Sequence, residues 1–518
     1  MNKNDICEII IEDMGKDGEG IGHVDGMTVF VKDTVVGDRA IVKVMKVKKN
    51  LAYARLMEIR EPSPYRVTPI CEKAVQCGGC TLQHISYEKQ LELLQNHVKN
   101  CLTRIGGLKD AEALMEPVLG MEEPFHFRNK MQFPVGTDRD GTPQLGFYAG
   151  RTHSLIPLSD CPVGHPVNRV ILQAVKEYIR EAHVPVYDEE KHEGLLRHVL
   201  TRVGFGTGQV MVCLVVNGDR LPEEDLLVEK LRTAVDGTPV ERTFEDGVIS
   251  DRTPGNGTGK ERPQDGRPLR LASVCMNFNT EKTNRILGFH SRVIFGTAVI
   301  EDTIGDIRFE IAPESFFQVN PVQTGKLYGK ALEYAGLTGE ETVWDMYCGI
   351  GTISLFLARK AKKVYGVEIV PQAIGNAKRN AELNGFQNTE FFVGKAEEIV
   401  PKLYAEDPDR YRADVVVVDP PRKGCDSELL STIASMSPKR LVYVSCDPAT
   451  LARDIAILSK EGFVVEKVAT VDMFPHSMHV ETVVLLNNKF AKVKDFVQIG
   501  IDAEDYYRIK DSEKDTDE

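Results

Sequence analysis

Apolar positions along the chain follow two regimes. Over residues 1–60 they come in short runs, at 7–11, 27–31, 39–47 and 52–59. Gly- and Asp-rich turns separate these runs, notably Lys16-Asp17-Gly18-Glu19-Gly20-Ile21-Gly22, and that pattern predicts a small all-β unit. From residue 340 onward, brief apolar runs alternate with helix-spaced segments, the signature of a parallel sheet with right-handed crossovers. Strands are predicted at 342–347, 363–367, 414–418 and 441–444, with a helix entering at 353. The region from 110 to 300 reads as mixed, with a strand starting at Phe127, further strands at 196–216 and 271–279, and a helix over 222–235. Another helix pattern covers 87–105. Residues 245–268, with Pro254-Gly255-Asn256-Gly257-Thr258-Gly259, are too polar and Gly-rich to pack and read as a flexible insertion. The tail from Asp502 is acidic and is expected to be mostly disordered. The expected division is 1–60, 61–300, 301–490 and a tail of 491–518.

Composition narrows the class. With 518 residues, 42% of them hydrophobic and 27% charged, the chain exceeds one core and supplies several. No apolar run approaches a membrane span and no export signal is visible, so a cytoplasmic protein without membrane contact is expected. The net charge of −13 argues against coating nucleic acid by bulk electrostatics. Residues 39–57, however, hold six basic residues and no acidic one. Lys43, Lys46, Lys48, Lys49 and Arg55 make a stripe that suits a phosphate backbone; a solvated strand face is the plainer reading.

Eleven cysteines in such a chain are no disulfide framework. Cys71, Cys77 and Cys80 share a loop rich in Pro and Gly, and Cys161 lies in a distant turn before a proline. Four thiolates suit structural zinc or a four-iron cluster. The single Cys-x2-Cys knuckle with one remote Cys favours iron–sulfur.

The second half carries the chemistry. Cys348-Gly349-Ile350-Gly351-Thr352 follows the first strand, and glycines there let the backbone approach a ligand. The next strand ends in Glu368, placed to accept from ribose hydroxyls. Ser354 stands where a dinucleotide fingerprint needs a third glycine, so a nucleoside cofactor without phosphates, S-adenosylmethionine, fits better. The third strand ends in Asp419-Pro420-Pro421-Arg422, a rigid loop. The fourth ends at Cys446, where Asp447 and Pro448 open a helix as N-cap and first residue. A helix N-terminus favours thiolate, so Cys446 is the candidate nucleophile; a packed core cysteine is the plainer reading. Glu481 follows His479-Val480 and precedes a buried strand, where burial would raise its pKa toward that of a working base; capping or surface pairing is the alternative.

Residues 1–60 resemble a TRAM domain, a small OB-type barrel found on RNA-modifying enzymes. Phe316-Phe317-Gln318-Val319-Asn320, Asp345 to Thr352, Asp419-Pro-Pro-Arg422, Ser445 to Asp454 and His479-Val-Glu481-Thr-Val483 closely resemble the RNA uracil-5-methyltransferase family, specifically its iron–sulfur branch acting on 23S ribosomal RNA. The resemblance implies a Rossmann-like α/β S-adenosylmethionine methyltransferase domain, an N-terminal OB-type barrel and an α+β central domain. It assigns Gln318, Tyr347, Glu368 and Asp419 to S-adenosyl-L-methionine, Cys446 as nucleophile and Glu481 as base. It also assigns Cys71, Cys77, Cys80 and Cys161 to a [4Fe-4S] cluster. Asp447, where many members have Asn, and Cys425, a second thiol near the crevice, depart from the pattern.

The activity so implied is methylation of uridine C5 in 23S ribosomal RNA by a monomer with no stable protein partner, with a transfer RNA substrate as the alternative. An exocyclic-amine methyltransferase would not need Cys446. An RNA-binding redox sensor on a dead methyltransferase fold would not need intact residues at every strand end.

Overall fold

The computed structural model describes residues 1–150, 152, 154–236 and 268–491, with the backbone of two short paired strands at 244–245 and 248–249. Most of the insertion predicted at 245–268, and the tail predicted from Asp502, lie outside the described residues.

The chain opens with a six-stranded sheet ordered Ile6–Ile10, Arg39–Val47, Leu51–Glu61, Met27–Val31, Gly20–Val24, Asp13–Met14. Period-two alternation sends Ala40, Val42, Val44, Ala52 and Ala54 inward. The opposite face of the same two strands exposes Lys46, Tyr53 and Arg55. Buried Asp38 fastens this unit to the segment that leaves its last long strand. It accepts from the Val35 and Ser63 backbone N–H groups at 2.7 and 2.9 Å and pairs with Arg66 at 2.5 Å. Burial alone would raise its carboxyl, but these bonds and the Arg66 charge hold its pKa below the ordinary value.

A second, seven-stranded sheet runs His290–Gly296, Arg270–Phe278, Gln209–Val216, Leu196–Val203, Lys130–Thr137, Pro143–Tyr148, Leu155–Pro157. The helices Val167–Glu181 and Glu224–Val235 pack on it through Ile171, Val175, Leu227 and Leu231. Its Leu200, Met211, Cys213 and Cys275 belong to the same core as Phe309, Phe317 and Leu355, so this sheet and the next are welded rather than tethered.

The third sheet has strands β1 (Thr342–Met346), β2 (Lys363–Glu368), β3 (Thr389–Val393), β4 (Val415–Val418), β5 (Arg440–Ser445), β6 (Phe463–Val471) and β7 (Glu481–Asn488). Their order is β3-β2-β1-β4-β5-β7-β6. Helices α1 (Pro321–Ala335), α2 (Thr352–Ala358), α3 (Pro371–Leu383), α4 (Ala396–Glu406), α5 (Ser427–Met436) and α6 (Pro448–Lys460) accompany it. The first five strands are parallel, as the sequence pattern predicts, but β7 runs antiparallel to both β5 and β6. The reversal matters because it brings the beginning of β7, rather than its end, to the carboxyl edge of the other strands.

Residues 115–119 extend this sheet beyond β6. Met115 bridges Val468 and Leu119 bridges Val471, with Glu116 N–H to Val468 O at 2.8 Å and Leu119 N–H to Thr470 O at 2.9 Å. The predicted long helix, observed at Tyr87–Arg104, buries Leu94, Val98 and Leu102 in one core with Leu451, Ile455 and Leu458 of α6. Among the described residues no helix is long and apolar enough to cross a membrane.

Candidate active site

The crevice at the carboxyl edge begins where β1 stops. Tyr347 takes a left-handed backbone, φ 71°, and its N–H and that of Cys348 both reach Val367 O at 3.0 Å. A non-glycine residue in that region of backbone space is strained, and such strain gathers at ligand-holding turns. Gly351 has φ 82°, and a Cβ there would lie 3.2 Å from the Ala377 Cβ. Glu368, ending β2, accepts from Gly349 N–H at 3.3 Å and Val370 N–H at 2.9 Å, which leaves carboxylate lone pairs for a further donor. Beneath the turn, Asp345 is fully buried and takes the Ser354 hydroxyl at 2.5 Å. Burial first, then the charges of Asp419 and Glu368, push its carboxyl up to about 7.

On the other side of β1 stand Cys446 and Glu481. The Asp447 side chain accepts from the Ala449 and Thr450 N–H groups at 3.0 Å each, and Pro448 occupies the first helical position, so the predicted cap forms. Ser445 pairs with Thr482 across β5 and β7; one step further in the same register come Cys446 and Glu481. Glu481 is 4% exposed. Burial, then the charge of Asp419, raises its pKa well above the ordinary value, while Arg422 opposes them.

The same neighbours correct one sequence-based expectation. The amino end of α6 favours thiolate at Cys446 when the sequence is read alone, yet the thiol is pushed up to about 11. Desolvation leads, followed by the Glu481 and Asp419 charges; Arg422 pulls the other way. Two carboxyl groups and partial burial raise the pKa, the direction opposite to that of a helix terminus.

Asp419 follows β4, and burial pushes its carboxyl up to about 6. Cys446, Glu481, Asp419 and Arg422 thus form one electrostatic cluster, while Tyr347, Glu368 and Asp345 gather at the adjoining strand ends. Gln318 lies before α1, nearly buried, and its carbonyl accepts from Asn129 Nδ2 at 2.9 Å, so the central sheet fixes that loop. Three residues with no role assigned from sequence join the site. Arg422 is the cation of the cluster. Tyr328 is buried beneath it, its hydroxyl 3.1 Å from Thr352 Oγ1. Phe316, 75% exposed, stands two residues before Gln318; an aromatic held in water is a signal only burial can supply. Cys425 is no rival thiol, being 5% exposed and pushed up to about 12 by burial.

Residues 285–489 match the tRNA (Uracil-5-)-methyltransferase family and residues 2–57 match the TRAM domain. An uncharacterised RNA methyltransferase of Halalkalibacterium halodurans is 47% identical over 489 residues, covering 94% of this chain and 98% of that one. The chain belongs to the tRNA (uracil-5-)-methyltransferase family. A second uncharacterised RNA methyltransferase, from Clostridium acetobutylicum, is 46% identical over 94% of this chain and 98% of its own. Among solved structures, the Pyrococcus abyssi tRNA (uracil-54, C5)-methyltransferase in complex with S-adenosyl-L-homocysteine is 28% identical, with a TM-score of 0.70, over 93% of this chain and all of that one.

In this family member the four predicted thiols converge. Cys80 is pushed up to about 12 by burial and then by Cys161, Cys77 and Cys71; Cys161, pushed up to about 11, is affected by Cys71 and Cys77. Arg128 lies within reach of Cys161 and Cys80. As placed, though, no three His, Cys, Asp or Glu side chains among the described residues are set to hold one metal ion.

Proposed function

We propose that the chain methylates C5 of a uridine in 23S ribosomal RNA, with S-adenosylmethionine as methyl donor. One observation carries the reading: β7 runs against β5, so buried Glu481 begins β7 one step past the Ser445–Thr482 pair, close enough for its charge to reach the Cys446 thiol. A methyltransferase acting on an amine or hydroxyl has no use for that pair. Uracil C5 is too weak a nucleophile to be alkylated directly, and a thiolate added at C6 remedies this.

In that reaction the Cys446 thiol gives its proton to solvent, the thiolate bonds to C6 as the C5–C6 double bond opens, and the displaced electrons move onto O4; the nearby Arg422 charge favours the thiolate. S-Adenosylmethionine supplies an electrophilic methyl group, which Gln318, Tyr347, Glu368 and Asp419 would hold toward C5. Glu481 takes the C5 proton; the C5–C6 double bond re-forms and Cys446 leaves. Burial suits Glu481 to the step, because a carboxylate of raised pKa is the stronger base. The uridine must leave its stack to present C6, so unpaired or extruded nucleotides are the substrates.

Cys71, Cys77, Cys80 and Cys161 are proposed as ligands of a structural [4Fe-4S] cluster. Their shared neighbourhood supports this, and a four-iron cube, wider than one ion, holds its thiolates farther apart than zinc does. The four-thiol arrangement is also what points to the ribosomal branch. Transfer RNA is the second reading, favoured by the likeness to the Pyrococcus abyssi enzyme.

The test is a mass measurement on protein mixed with S-adenosylmethionine and RNA in which 5-fluorouridine replaces uridine. Fluorine at C5 cannot be removed as a proton, so a Cys446–RNA adduct should accumulate; its absence would sink the mechanism. Nucleoside mapping of ribosomal and transfer RNA, with and without the protein, separates the two substrates.

A further inference from the structure

Two large aromatic side chains stand in water on one rigid support. Phe316 is 75% exposed and Phe289 is 71% exposed. Their loops are bolted together by Asn277, fully buried in the central sheet. Its Nδ2 carries two hydrogens and lies within hydrogen-bond reach of Gly288 O at 3.3 Å, His290 O at 3.2 Å, Ser291 Oγ at 3.0 Å and Glu314 Oε1 at 3.3 Å, and its Oδ1 accepts from Gly288 N–H at 2.6 Å. The Ser291 hydroxyl donates to the same Glu314 oxygen, two residues before Phe316. Buried Arg202 secures the Phe316 loop by donating to Pro313 O at 3.2 Å and to Ser315 O. Asn279 does the same for the Phe289 loop, donating to Arg285 O at 2.6 Å and Ile286 O at 2.9 Å.

The Arg285 guanidinium lies 3.5 Å from the centroid of the Phe289 ring, covering one face. Among the described residues no carboxylate pairs with it, and its Nε donates only to Leu287 O at 2.8 Å. His290, next in sequence to Phe289, and Lys282, seven residues before Phe289, are exposed. An aromatic face backed by an unneutralised cation, held in place by buried amides, is a surface for a stacked base with a phosphate beside it.

We propose that Phe289, backed by Arg285, is a stacking platform that takes a base of single-stranded RNA next to the uridine entering the crevice. The inference rests on RNA as substrate and adds where the strand outside the crevice lies. Phe289 does not touch reacting atoms, so it governs RNA affinity and the choice of flanking base, not the chemical step. The platform accepts any base, with purines favoured by their larger stacking area.

The test uses the full chain without methyl donor and a 12-nucleotide single-stranded RNA bearing one uridine, with 2-aminopurine placed on either side in turn. Wild type should quench the 2-aminopurine on one side. Phe289→Ala should lose that quenching and bind about tenfold more weakly, the scale of one base–aromatic stack. Phe289→Tyr should retain both, and thermal midpoints should match because the ring is exposed. Unchanged affinity and quenching in Phe289→Ala, or no quenching in wild type, would overturn the proposal. So would a dimer in wild type that Phe289→Ala converts to monomer, which would assign the patch to a second copy of the chain. The uracil-C5 reading fails separately, as absence of 5-methyluridine from wild-type turnover whatever Phe289 does.

Discussion

Tyr87 donates its hydroxyl hydrogen to Asp472 Oδ2 at 2.7 Å while accepting from Met121 N–H at 2.8 Å, tying the long helix to the end of β6. Burial pushes the Asp472 carboxyl up to about 7, with the Tyr87 bond opposing the shift. Among the described residues its other oxygen has no hydrogen-bond partner. Between the unfolded value of 3.8 and about 7, the folded protein holds a proton here that the unfolded chain has released. This group's stabilisation is therefore complete below pH 3.8 and fades as pH rises to about 7. Asp472→Asn, which cannot ionise, should gain on wild type by up to about 1.4 kcal/mol per pH unit across that window. Parallel curves of denaturation midpoint against pH for the two proteins would contradict this.

Cys446→Ala should abolish both methylation and the 5-fluorouridine adduct. Glu481→Gln should still methylate C5 but stall as a covalent protein–RNA complex visible on a denaturing gel. Free 5-methyluridine RNA recovered equally from Glu481→Gln and wild type would refute Glu481 as base.

The raised Cys446 pKa makes iodoacetamide a probe of its neighbours. Labelling of the free protein should rise about tenfold per pH unit below 11, since only thiolate reacts. Arg422→Ala should slow labelling and Asp419→Asn should speed it, by roughly tenfold for each pKa unit moved. Peptide mapping should show Cys425 unlabelled throughout. Opposite signs for the two variants would mean that another charge governs the thiol.

RNA grip is expected largely from the first sheet. Lys46 faces Tyr53 in register, Lys48 lies 5.6 Å from the Tyr53 ring centroid, and Phe30 stacks on Tyr53 at 5.5 Å. Replacing Lys46, Lys48, Lys49 and Arg55 by alanine should weaken RNA binding and flatten its salt dependence, by roughly 0.7 to 0.9 in slope for each phosphate no longer neutralised. Full affinity with an unchanged slope would place the grip in the central sheet.

Protein purified without oxygen should be brown and carry iron and sulfide, and Cys80→Ser and Cys161→Ser should lose the colour. Zinc in place of iron under those conditions would exclude the cluster.

Much of the site was legible in the sequence because it is local. The glycines after β1, Glu368 ending β2, Asp419 after β4 and the Asp447-Pro448 cap each announce themselves within a few residues. What escaped depends on partners far along the chain. The reversed direction of β7 follows from its pairing with β5 and β6, and its apolar run, Val483 to Leu486, reads the same in either direction. The charge state of Cys446 depends on distant partners in the same way, since its thiol answers to groups after β4 and at the start of β7. Asn277 looks like an ordinary strand residue in the sequence; only the fold shows it joining two loops.

Residues 115–119 complete the third sheet with partners some 350 positions later in the chain. During synthesis the segment emerges first and waits, its backbone groups bonded only to water, until β6 is made. Pairing across so long a separation slows folding. Until it closes, both the segment and β6 present strand edges to other chains, so overproduction at high temperature should yield aggregates rich in chains stopped at this step.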